Sequence, residues 1–441
     1  MFSSLRSGSF IKWFYFGMHI KRWLLLVLLG IAIMGLGFGY VLREAYATYT
    51  FPTWVYYLTL QFVPRLARAA MFIGVASSVI LFAVWKLNTS LLAAFVKPSD
   101  DDSIIETIYR YRSQARGPRV VCVGGGTGLP VLLRGLKEHT SNMTAIVTVG
   151  DDGGSSGVLR RELGLLPPGD LRNCIAALAE AEPLMTRLFQ YRFNEGSGSG
   201  LEGHSFGNLF IAAMSGITGN FEEAVRETSR VLAVRGLILP STLAHVTVHA
   251  RTEDGELIDG ESNVTERGAR IEEIWLQPEN IQANPEAIRS ILEADLVVVG
   301  PGSLLTSVLP NLLVPGIAQA LKISQATKVY VCNVATQHGE TDDFGVSDHF
   351  RTLASHVGNN LFDYVLANDN VEGPLPDSWH SKPVIIDSPV VDGARVHTAD
   401  VVSETNRYHH DSYKLAAAIM RLYSGRNERE SPEALAAARS R

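Results

Sequence analysis

Two glycine-rich segments follow short apolar runs, and their residue types suit the binding of a phosphate group. The first segment, Gly124 to Gly128, comes after Val120 to Val123, and the second, Asp151 to Gly157, comes after Thr144 to Val149. Each apolar run is typical of a buried parallel strand, and each loop precedes residues that can begin a helix. Glycine lets the backbone approach a ligand, and a helix N-terminus offers free N–H groups. The two loops therefore indicate a nucleotide or phosphosugar site.

Further candidates come from other loops at the same edge of the predicted sheet. In an open α/β sheet, ligands collect at the carboxyl ends of the strands. The candidates that follow strands are Gly125, Gly126, Thr127, Gly128, Asp151, Asp152, Ser155, Ser156, Gly302, Ser303, Asn333, Thr336, Gln337 and Asn368. Two polar clusters that precede helices add Asp170, Arg172, Asn173, His204 and Asn208.

Several of these side chains have a structural role as an alternative. Asp151, at the end of the second strand, can bind a ribose hydroxyl or cap the next helix, and Asp152 can cap a helix or bind a cation. Asp170 suits a helix cap, whereas Arg172 beside it favours a phosphate site. His204 can be a turn histidine or a catalytic base. No residue pattern marks a nucleophile, so Asp151 and Asp170 are the candidates for a catalytic role.

Four classes of site are disfavoured by motif and composition. Leu129 stands where GxGxxG needs its third glycine, and no GxxxxGK[ST] is present, so neither an NAD site nor a P-loop is predicted. A net charge of −6 argues against nucleic-acid binding through a basic surface. The three cysteines have no zinc spacing and are expected to be free thiols.

Two groups of residues contain side chains of the types that bind metal ions. Mg²⁺ could bind at Asp151 and Asp170 beside a pyrophosphate. The run His409-His410-Asp411 is expected at a solvated helix start rather than in a metal site.

Apolar strand-like runs alternate with amphipathic stretches from residue 117 onward, which predicts a mainly parallel α/β sheet with helices on both faces. The predicted strands are Val120–Val123, Ala145–Val149, Leu296–Val299, Val329–Val331, Tyr364–Leu366 and Val384–Ile386. One insertion, Val246 to Ile258, predicts a β-hairpin with a primed turn at Asp254-Gly255.

The first hundred residues are typical of a membrane anchor. Trp23 to Leu42 is uncharged and long enough for one span, and Ala69 to Trp85 is a shorter second run. Basic residues before the first run place the N-terminus, and hence the α/β domain, in the cytoplasm. Tyr46 to Pro64 is rich in aromatic residues and either lies at the interface or spans, in which case the α/β domain would lie outside. The predicted organisation is a membrane anchor at 1–98, the α/β domain at 99–425 and a flexible tail at 426–441.

Six motifs occur in a fixed order between Arg119 and Asn368, namely GGGTGL, DDGGSSG, PPGDLRN, GHSFGN, GPGSLLTS and CNVATQ followed by GET. In this order the chain closely resembles the gluconeogenesis-factor family, within the CofD-like superfamily of 2-phospho-L-lactate transferase. The resemblance implies a Rossmann-like, doubly wound domain that binds a UDP-sugar such as UDP-N-acetylglucosamine. It implies a regulatory role in cell-wall precursor flow, cell shape and gluconeogenic growth.

Three functions are expected in order of preference. The first is a membrane-tethered UDP-sugar-binding regulator, which would act with cell-wall-synthesis or regulatory proteins and form a homo-oligomer. The second is a transferase that moves a phospho-acid group from a guanylylated donor to a deazaflavin precursor with a divalent metal, as the transferase branch implies. The third, a transporter, has only two predicted spans and no charge within them.

Overall fold

A computed structural model describes residues 20–95, 113–180, 183–194, 200–372 and 380–430; within these ranges it does not describe the side chains of 20–28, 81, 83–95, 183 and 426–430. The chain divides into two compact units, Met1–Arg112 and Ser113–Arg441. The predicted linker at 97–102 and most of the predicted tail at 426–441 lie outside the described residues.

The first unit contains helices α1 (Ile20–Thr48), α2 (Thr53–Leu58) and α3 (Arg65–Phe95). The described parts of α1 and α3 expose many large apolar side chains, including Ile33, Phe38 and Phe72. Among the described residues, no single helix is long and apolar enough to cross a membrane, and only a pair of helices in the second unit, bent by 73°, passes that test together. The predicted spans fall partly on residues outside the described side chains, so the membrane topology stays a prediction.

The second unit alternates strands with helices along most of its length. The strands are β1 (Val120–Gly124), β2 (Met143–Val147), β3 (Leu237–Pro240), β4 (Thr247–Thr252), β5 (Leu257–Asp259), β6 (Ile271–Gln277), β7 (Leu296–Val299), β8 (Thr327–Val331), β9 (Tyr364–Asn368), β10 (Val390–Val391) and β11 (Ala394–Ala399). The helices are α4 (Gly128–Leu136), α5 (Gly154–Leu163), α6 (Gly169–Leu178), α7 (Pro183–Gln190), α8 (Phe206–Thr218), α9 (Phe221–Val231), α10 (Glu261–Arg267), α11 (Pro285–Glu293), α12 (Leu309–Leu312), α13 (Pro315–Ile323), α14 (Val346–Val357) and α15 (Ser412–Glu430), with a π-helix at Leu304–Val308.

Eight strands form one sheet in the order β10-β11-β9-β8-β7-β1-β2-β3, in which all pairs are parallel except β10 with β11. Both β1 and β7 are fully buried apolar runs, as expected for strands covered by helices on both faces. The chain adds β2 and β3 on one side of β1 and then returns to add β7, β8 and β9 on the other. This confirms the doubly wound, mainly parallel fold and puts its switch point between β1 and β7.

The outer part of the sheet differs from the prediction. The predicted strand Val384–Ile386 is not present. Val384 donates its N–H to Val334 O in the loop after β8 rather than to a strand of the sheet, and Ile385 is exposed. The strand that pairs with β9 is instead β11. Its residues alternate between apolar and polar types, so it lacks the continuous apolar run on which the strand predictions depend.

The predicted hairpin is confirmed as β4 and β5, but the prediction of a primed turn between them is wrong. Gly255 has a φ of +80°, whereas Asp254 is not among the residues with positive φ, and a type I′ turn requires positive φ at both central residues. Strand β6 pairs with the other edge of β4 and completes a three-stranded antiparallel sheet. The buried face of this small sheet presents Val248 and Ile274 to the core.

Candidate functional site

The loops after β1 and β7 lie side by side at the carboxyl edge of the sheet. They do so because β1 and β7 are neighbours, with Val123 opposite Val299. A cleft opens between the loops, and its walls combine backbone, hydroxyl, amide and imidazole groups. The lining residues are Thr127, Gly128, Val131, Pro301, Gly302, Ser303, Asn333, Val334, Ala335, Gln337, Tyr408, His409 and His410.

A second cleft, of about 380 Å³, continues along the N-terminal half of α4. It shares Thr127, Val131 and His409 with the first, so the two form one groove. Its other lining residues are Pro130, Arg134, Asn173, Gln190, Ser403, Thr405 and Asn406. The groove therefore brings together the predicted residues Thr127, Gly128, Asn173, Gly302, Ser303, Asn333 and Gln337.

The glycines of the loop after β1 are required by close contacts. A Cβ on Gly125 would lie 2.6 Å from Asp170 Oδ2, and a Cβ on Gly128 would lie 2.5 Å from the carbonyl oxygen of Pro301. Gly126 has a φ of +60° and donates its N–H to Asp170 Oδ2 at 2.7 Å. These contacts hold the loop against the loop after β7 and against α6, so that the N-terminus of α4 faces the groove.

On the β7 side, side chains form a connected set of hydrogen bonds. Gly302 and Asn333 bond reciprocally, through Gly302 N to Asn333 Oδ1 at 3.4 Å and Asn333 Nδ2 to Gly302 O at 3.0 Å. Ser303 donates to Gln337 Oε1 at 2.6 Å, and Gln337 Nε2 donates to Glu340 Oε1 at 2.9 Å. Burial raises the pKa of Glu340 to about 7. Glu340 is not a predicted site residue, and the GET motif is the one sequence signal at its position.

The loop after β2 uses its polar groups inside the protein. Asp151 Oδ1 accepts the N–H of Gly153, and Asp152 Oδ1 accepts both the N–H and the hydroxyl of Ser262. Neither carboxylate caps α5, whose N-cap is Gly153 with no side-chain bond. Asp152 instead accepts hydrogen bonds from Ser262 in the first turn of α10. It therefore caps a helix, as one of the two predicted alternatives has it, but the helix is α10 rather than α5.

Ser155 and Ser156 belong to a buried polar cluster where α5, α6 and α8 begin. Ser155 Oγ lies 3.0 Å from His204 Nδ1 and accepts from Asn208 Nδ2 at 3.0 Å. Ser156 Oγ accepts the N–H of Gly169 at 3.1 Å. The imidazole of His204 and the hydroxyl of Ser155 are both buried. His204 is therefore a turn histidine with a hydrogen-bond partner, which is the structural alternative of the two.

Arg172 lies in the same cluster and is also buried. Its guanidinium donates to Ser205 Oγ at 2.5 Å and to Asn173 Oδ1 at 2.8 Å. Through Asn173, the cluster reaches the wall of the groove. Arg172 therefore orients a groove residue.

Carboxylates gather beside the glycine loop. Burial raises the pKa of Asp170 to about 6 and, with repulsion from Asp151 and Asp170, raises the pKa of Glu261 to about 8. Within the described ranges, no group of three or more His, Cys, Asp or Glu residues is arranged to hold a metal ion. One oxygen of Asp151 and one of Asp170 accept backbone N–H groups. Mg²⁺ would thus fit here only with further oxygen ligands, such as those of a bound diphosphate.

Two predicted residues face away from the groove. Thr336 Oγ1 accepts the N–H of Lys382 at 2.9 Å, which holds the segment before residue 384 against the loop after β8. Asn368 Oδ1 accepts the N–H of Val401, and its Nδ2 donates to Asn370 O. Asn368 lines a small separate pocket beside Arg407.

The segment before α15 forms a groove wall that the sequence does not predict. His409 lines both parts of the groove, while His410 is buried and its Nε2 lies 3.2 Å from Cys332 O. Burial lowers the pKa of His410 to about 4. The predicted solvated position of the run is wrong for His410, although Asp411 does accept the N–H groups that begin α15. The three cysteines are free and buried, as expected.

The fold is that of a doubly wound α/β protein, and the groove lies at its switch point between β1 and β7, where such folds bind ligands. A family model described as 2-phospho-L-lactate transferase CofD matches residues 120–405. The gluconeogenesis factor of Bacillus subtilis is 48% identical over 315 residues, which cover 69% of this chain and 98% of that protein. The chain belongs to the CofD family and, within it, to the gluconeogenesis factors.

Two further relatives define which parts of the chain are shared. A relative from Nostoc sp. is 43% identical over 442 residues, which cover 96% of this chain and 94% of that protein. A crystal structure of a Bacillus halodurans member of the UPF0052 family is 44% identical, with a TM-score of 0.64, and covers 69% of this chain and 99% of that one. The match to the Nostoc relative therefore includes most of the N-terminal unit. The B. subtilis and B. halodurans proteins match only 69% of this chain, although they are covered almost entirely.

Proposed function

We propose that the protein is a regulator that binds a nucleotide-sugar, of the UDP-N-acetylglucosamine type, in the groove over α4. The observation that carries the proposal is the position of the α4 N-terminus at the switch point. Within the described residues, the N–H groups of Thr127 and Gly128 have no protein acceptor. Such groups, with the helix dipole behind them, favour a diphosphate.

The rest of the groove suits the uncharged parts of such a ligand. Amide and hydroxyl groups of Ser303, Asn333 and Gln337 line one end, and those of Asn173 and Gln190 line the other. Sugars and bases present many donors and acceptors, and side chains of this kind bond to both. The groove thus offers a place for a diphosphate with a polar group on each side of it.

Binding without turnover is the form that the site supports best. The one serine–imidazole pair within the described part of the site, Ser155 with His204, is buried, and Asn208 already donates to its hydroxyl. The gluconeogenesis-factor relatives support a regulatory role, in which the bound nucleotide-sugar reports the carbon flow into cell-wall precursors. Cell shape and growth on gluconeogenic carbon sources are then the expected phenotypes of a deletion.

Calorimetry of the full chain with UDP-N-acetylglucosamine, UDP, GDP and NAD tests the binding. We expect the sugar nucleotide to bind most tightly. The transferase alternative is tested by incubation with Mg²⁺, nucleotide donors and a deazaflavin acceptor, followed by measurement of GMP or UMP release. Sustained release of GMP or UMP that is lost in the Asp170→Asn variant would refute the regulator proposal and show that the protein is an enzyme.

We also propose that the N-terminal unit anchors the second unit to the cytoplasmic face of a membrane. The exposed apolar side chains on α1 and α3 and the basic residues before α1 support this arrangement. Thr50→Cys and Glu430→Cys provide labelling sites, because the native cysteines are buried. The two positions should react from opposite sides of the membrane. Reaction of both from outside would refute the hairpin arrangement.

A further inference from the structure

Glu340 is a buried carboxylate that lies behind the groove rather than in its wall. It is 4% exposed. Its Oε1 accepts from Thr306 Oγ1 at 3.0 Å and from Gln337 Nε2 at 2.9 Å, and its Oε2 accepts the N–H of Leu305 at 3.2 Å. Above pH 7 Glu340 is ionised, and ionised carboxylate oxygens can only accept hydrogen bonds. The neighbouring amide of Gln337 must therefore turn its NH₂ group toward Glu340.

This constraint fixes the direction of the next hydrogen bond. With its NH₂ group on Glu340, Gln337 presents its carbonyl oxygen to Ser303, at 2.6 Å. An amide oxygen cannot donate, so the Ser303 hydroxyl must use its single hydrogen on Gln337. What Ser303 can offer to the groove is an oxygen lone pair.

The inference that follows rests on the proposed function, since it concerns the ligand of that groove. We propose that Ser303 recognises a hydrogen-bond donor of the bound nucleotide-sugar, an N–H or O–H group, rather than a phosphate oxygen. Glu340 is the positioning residue that sets this polarity through Gln337. The diphosphate then lies at the α4 N-terminus, and Ser303 contacts the sugar or the base.

The hydrogen bonds from Glu340 through Gln337 to Ser303 form a relay. Glu340→Gln reverses the direction of the bonds in this relay without changing the shape of the side chain. The N–H of Leu305 is a fixed backbone donor, so the carbonyl oxygen of the new amide has to face it. The new NH₂ group then faces Gln337, whose amide must flip to accept from it. After the flip, Gln337 donates to Ser303, and the Ser303 hydrogen is released toward the groove.

The test is the dissociation constant for UDP-N-acetylglucosamine at about pH 8.5, where Glu340 is ionised, in a double-mutant cycle on the full chain. Glu340→Gln should weaken binding about 10-fold in the presence of Ser303, because two donors then face each other. In a Ser303→Ala background the same change should alter the constant less than about twofold. Thr265→Val is the matched control, since Thr265 Oγ1 also contacts Glu340 Oε1, at 3.4 Å, without setting the Gln337 orientation. It should leave the constant unchanged.

Each other outcome overturns the proposal in a distinct way. Tighter binding by Glu340→Gln would mean that Ser303 meets an acceptor such as a phosphate oxygen. An equal loss in the Ser303→Ala background would mean that Glu340 acts only on the fold. No change in the presence of Ser303 would mean that the ligand does not use this hydroxyl.

A ligand-free measurement separates this inference from the proposed function. In protein with ¹⁵N-labelled glutamine, the Gln337 amide protons should contact the Thr306 side chain in the wild type and the Ser303 β-protons in Glu340→Gln. Identical contacts in both proteins would refute the relay. A wild type that binds no nucleotide-sugar would refute the proposed function while this measurement still decides the role of Glu340.

Discussion

The loop after β1 and the loop after β2 lie at the same edge of the sheet, and they use their hydrogen-bonding groups differently. In the loop after β1, close backbone packing fixes the chain, and the N–H groups of Thr127 and Gly128 remain available within the described part of the protein. In the loop after β2, Asp152, Ser155 and Ser156 bond to other parts of the protein. The same type of turn therefore has two uses: the side chains of the loop after β2 fasten it to the protein, whereas the loop after β1 presents backbone N–H groups to which we propose that the ligand binds.

The largest expected effect is on the loop after β1. Gly128→Ala places a methyl group 2.5 Å from Pro301 O and 2.8 Å from Gly302 N, both backbone atoms that cannot rotate away. We expect the free energy of unfolding to fall by about 3 kcal/mol, together with a loss of nucleotide binding. Chemical denaturation and calorimetry measure the two. Retention of both would show that the loops after β1 and β7 are not packed as described.

A pH-dependent effect is expected where Glu261 faces the acids of the loop after β2. Its folded pKa of about 8 lies above the usual value, so the protonated carboxyl favours the folded state, and this contribution is lost as the pH rises through 8. The amide side chain of the Glu261→Gln variant stays neutral at every pH. At pH 9 we therefore expect its free energy of unfolding to exceed that of the wild type by about 2 kcal/mol, a value lowered to allow for the partial exposure of the side chain.

Denaturation of wild type and Glu261→Gln at pH 4, 7 and 9 checks this expectation. The two proteins should be alike at pH 4 and diverge as the pH rises. A difference that is the same at every pH would mean that packing, rather than charge, distinguishes the side chains. Glu266→Gln, at an exposed position of the same helix α10, is a control for the loss of one surface charge.

Serines in the two regions should respond in opposite ways. Ser155→Ala leaves His204 and Asn208 without a buried partner and should cost about 2 kcal/mol of stability, with little change in ligand affinity. Ser303→Ala should alter stability by less than about 0.5 kcal/mol and weaken binding instead. Thermal melts and calorimetry on both variants make the comparison. A loss of affinity in the folded Ser155→Ala protein would bring the loop after β2 into the ligand site.

The smallest effect is expected at Gly154. Its φ is +44°, but no atom lies within 4 Å of the position that a Cβ would occupy. Gly154→Ala should therefore cost only the backbone strain, about 1 kcal/mol, and should leave binding unchanged. Chemical denaturation and calorimetry measure both quantities. A cost as large as that of Gly128→Ala would remove the contrast between the two loops.

The parts of the fold that follow from local pattern were predictable. Continuous apolar runs such as Val120–Val123 and Leu296–Val299 identify central strands, because a strand buried on both faces must be apolar throughout. Strand β11 was missed, since its residues alternate between apolar and polar types and its place depends on pairing with β9. The hairpin followed from Asp254-Gly255, but the turn type did not, because it depends on the backbone angle of a single residue.

The groove was predictable only on the side formed by glycine and strand-end motifs. Ser303, Asn333 and Gln337 follow strands that the sequence identified, and the sheet topology brings them together. His409 comes from a segment distant in sequence that follows no predicted strand. Glu340 could not be assigned, because its role depends on the direction of hydrogen bonds in a folded network rather than on its neighbours along the chain.

The two ends of the eight-stranded sheet have a consequence for self-association. One edge is β10, only two residues long, and the other is β3, which ends in Pro240 and so lacks one backbone donor. Neither of these described edges offers the long row of free N–H and C=O groups on which a strand from another molecule could be added. Edge-to-edge growth of the eight-stranded sheet into fibrous aggregates is therefore disfavoured.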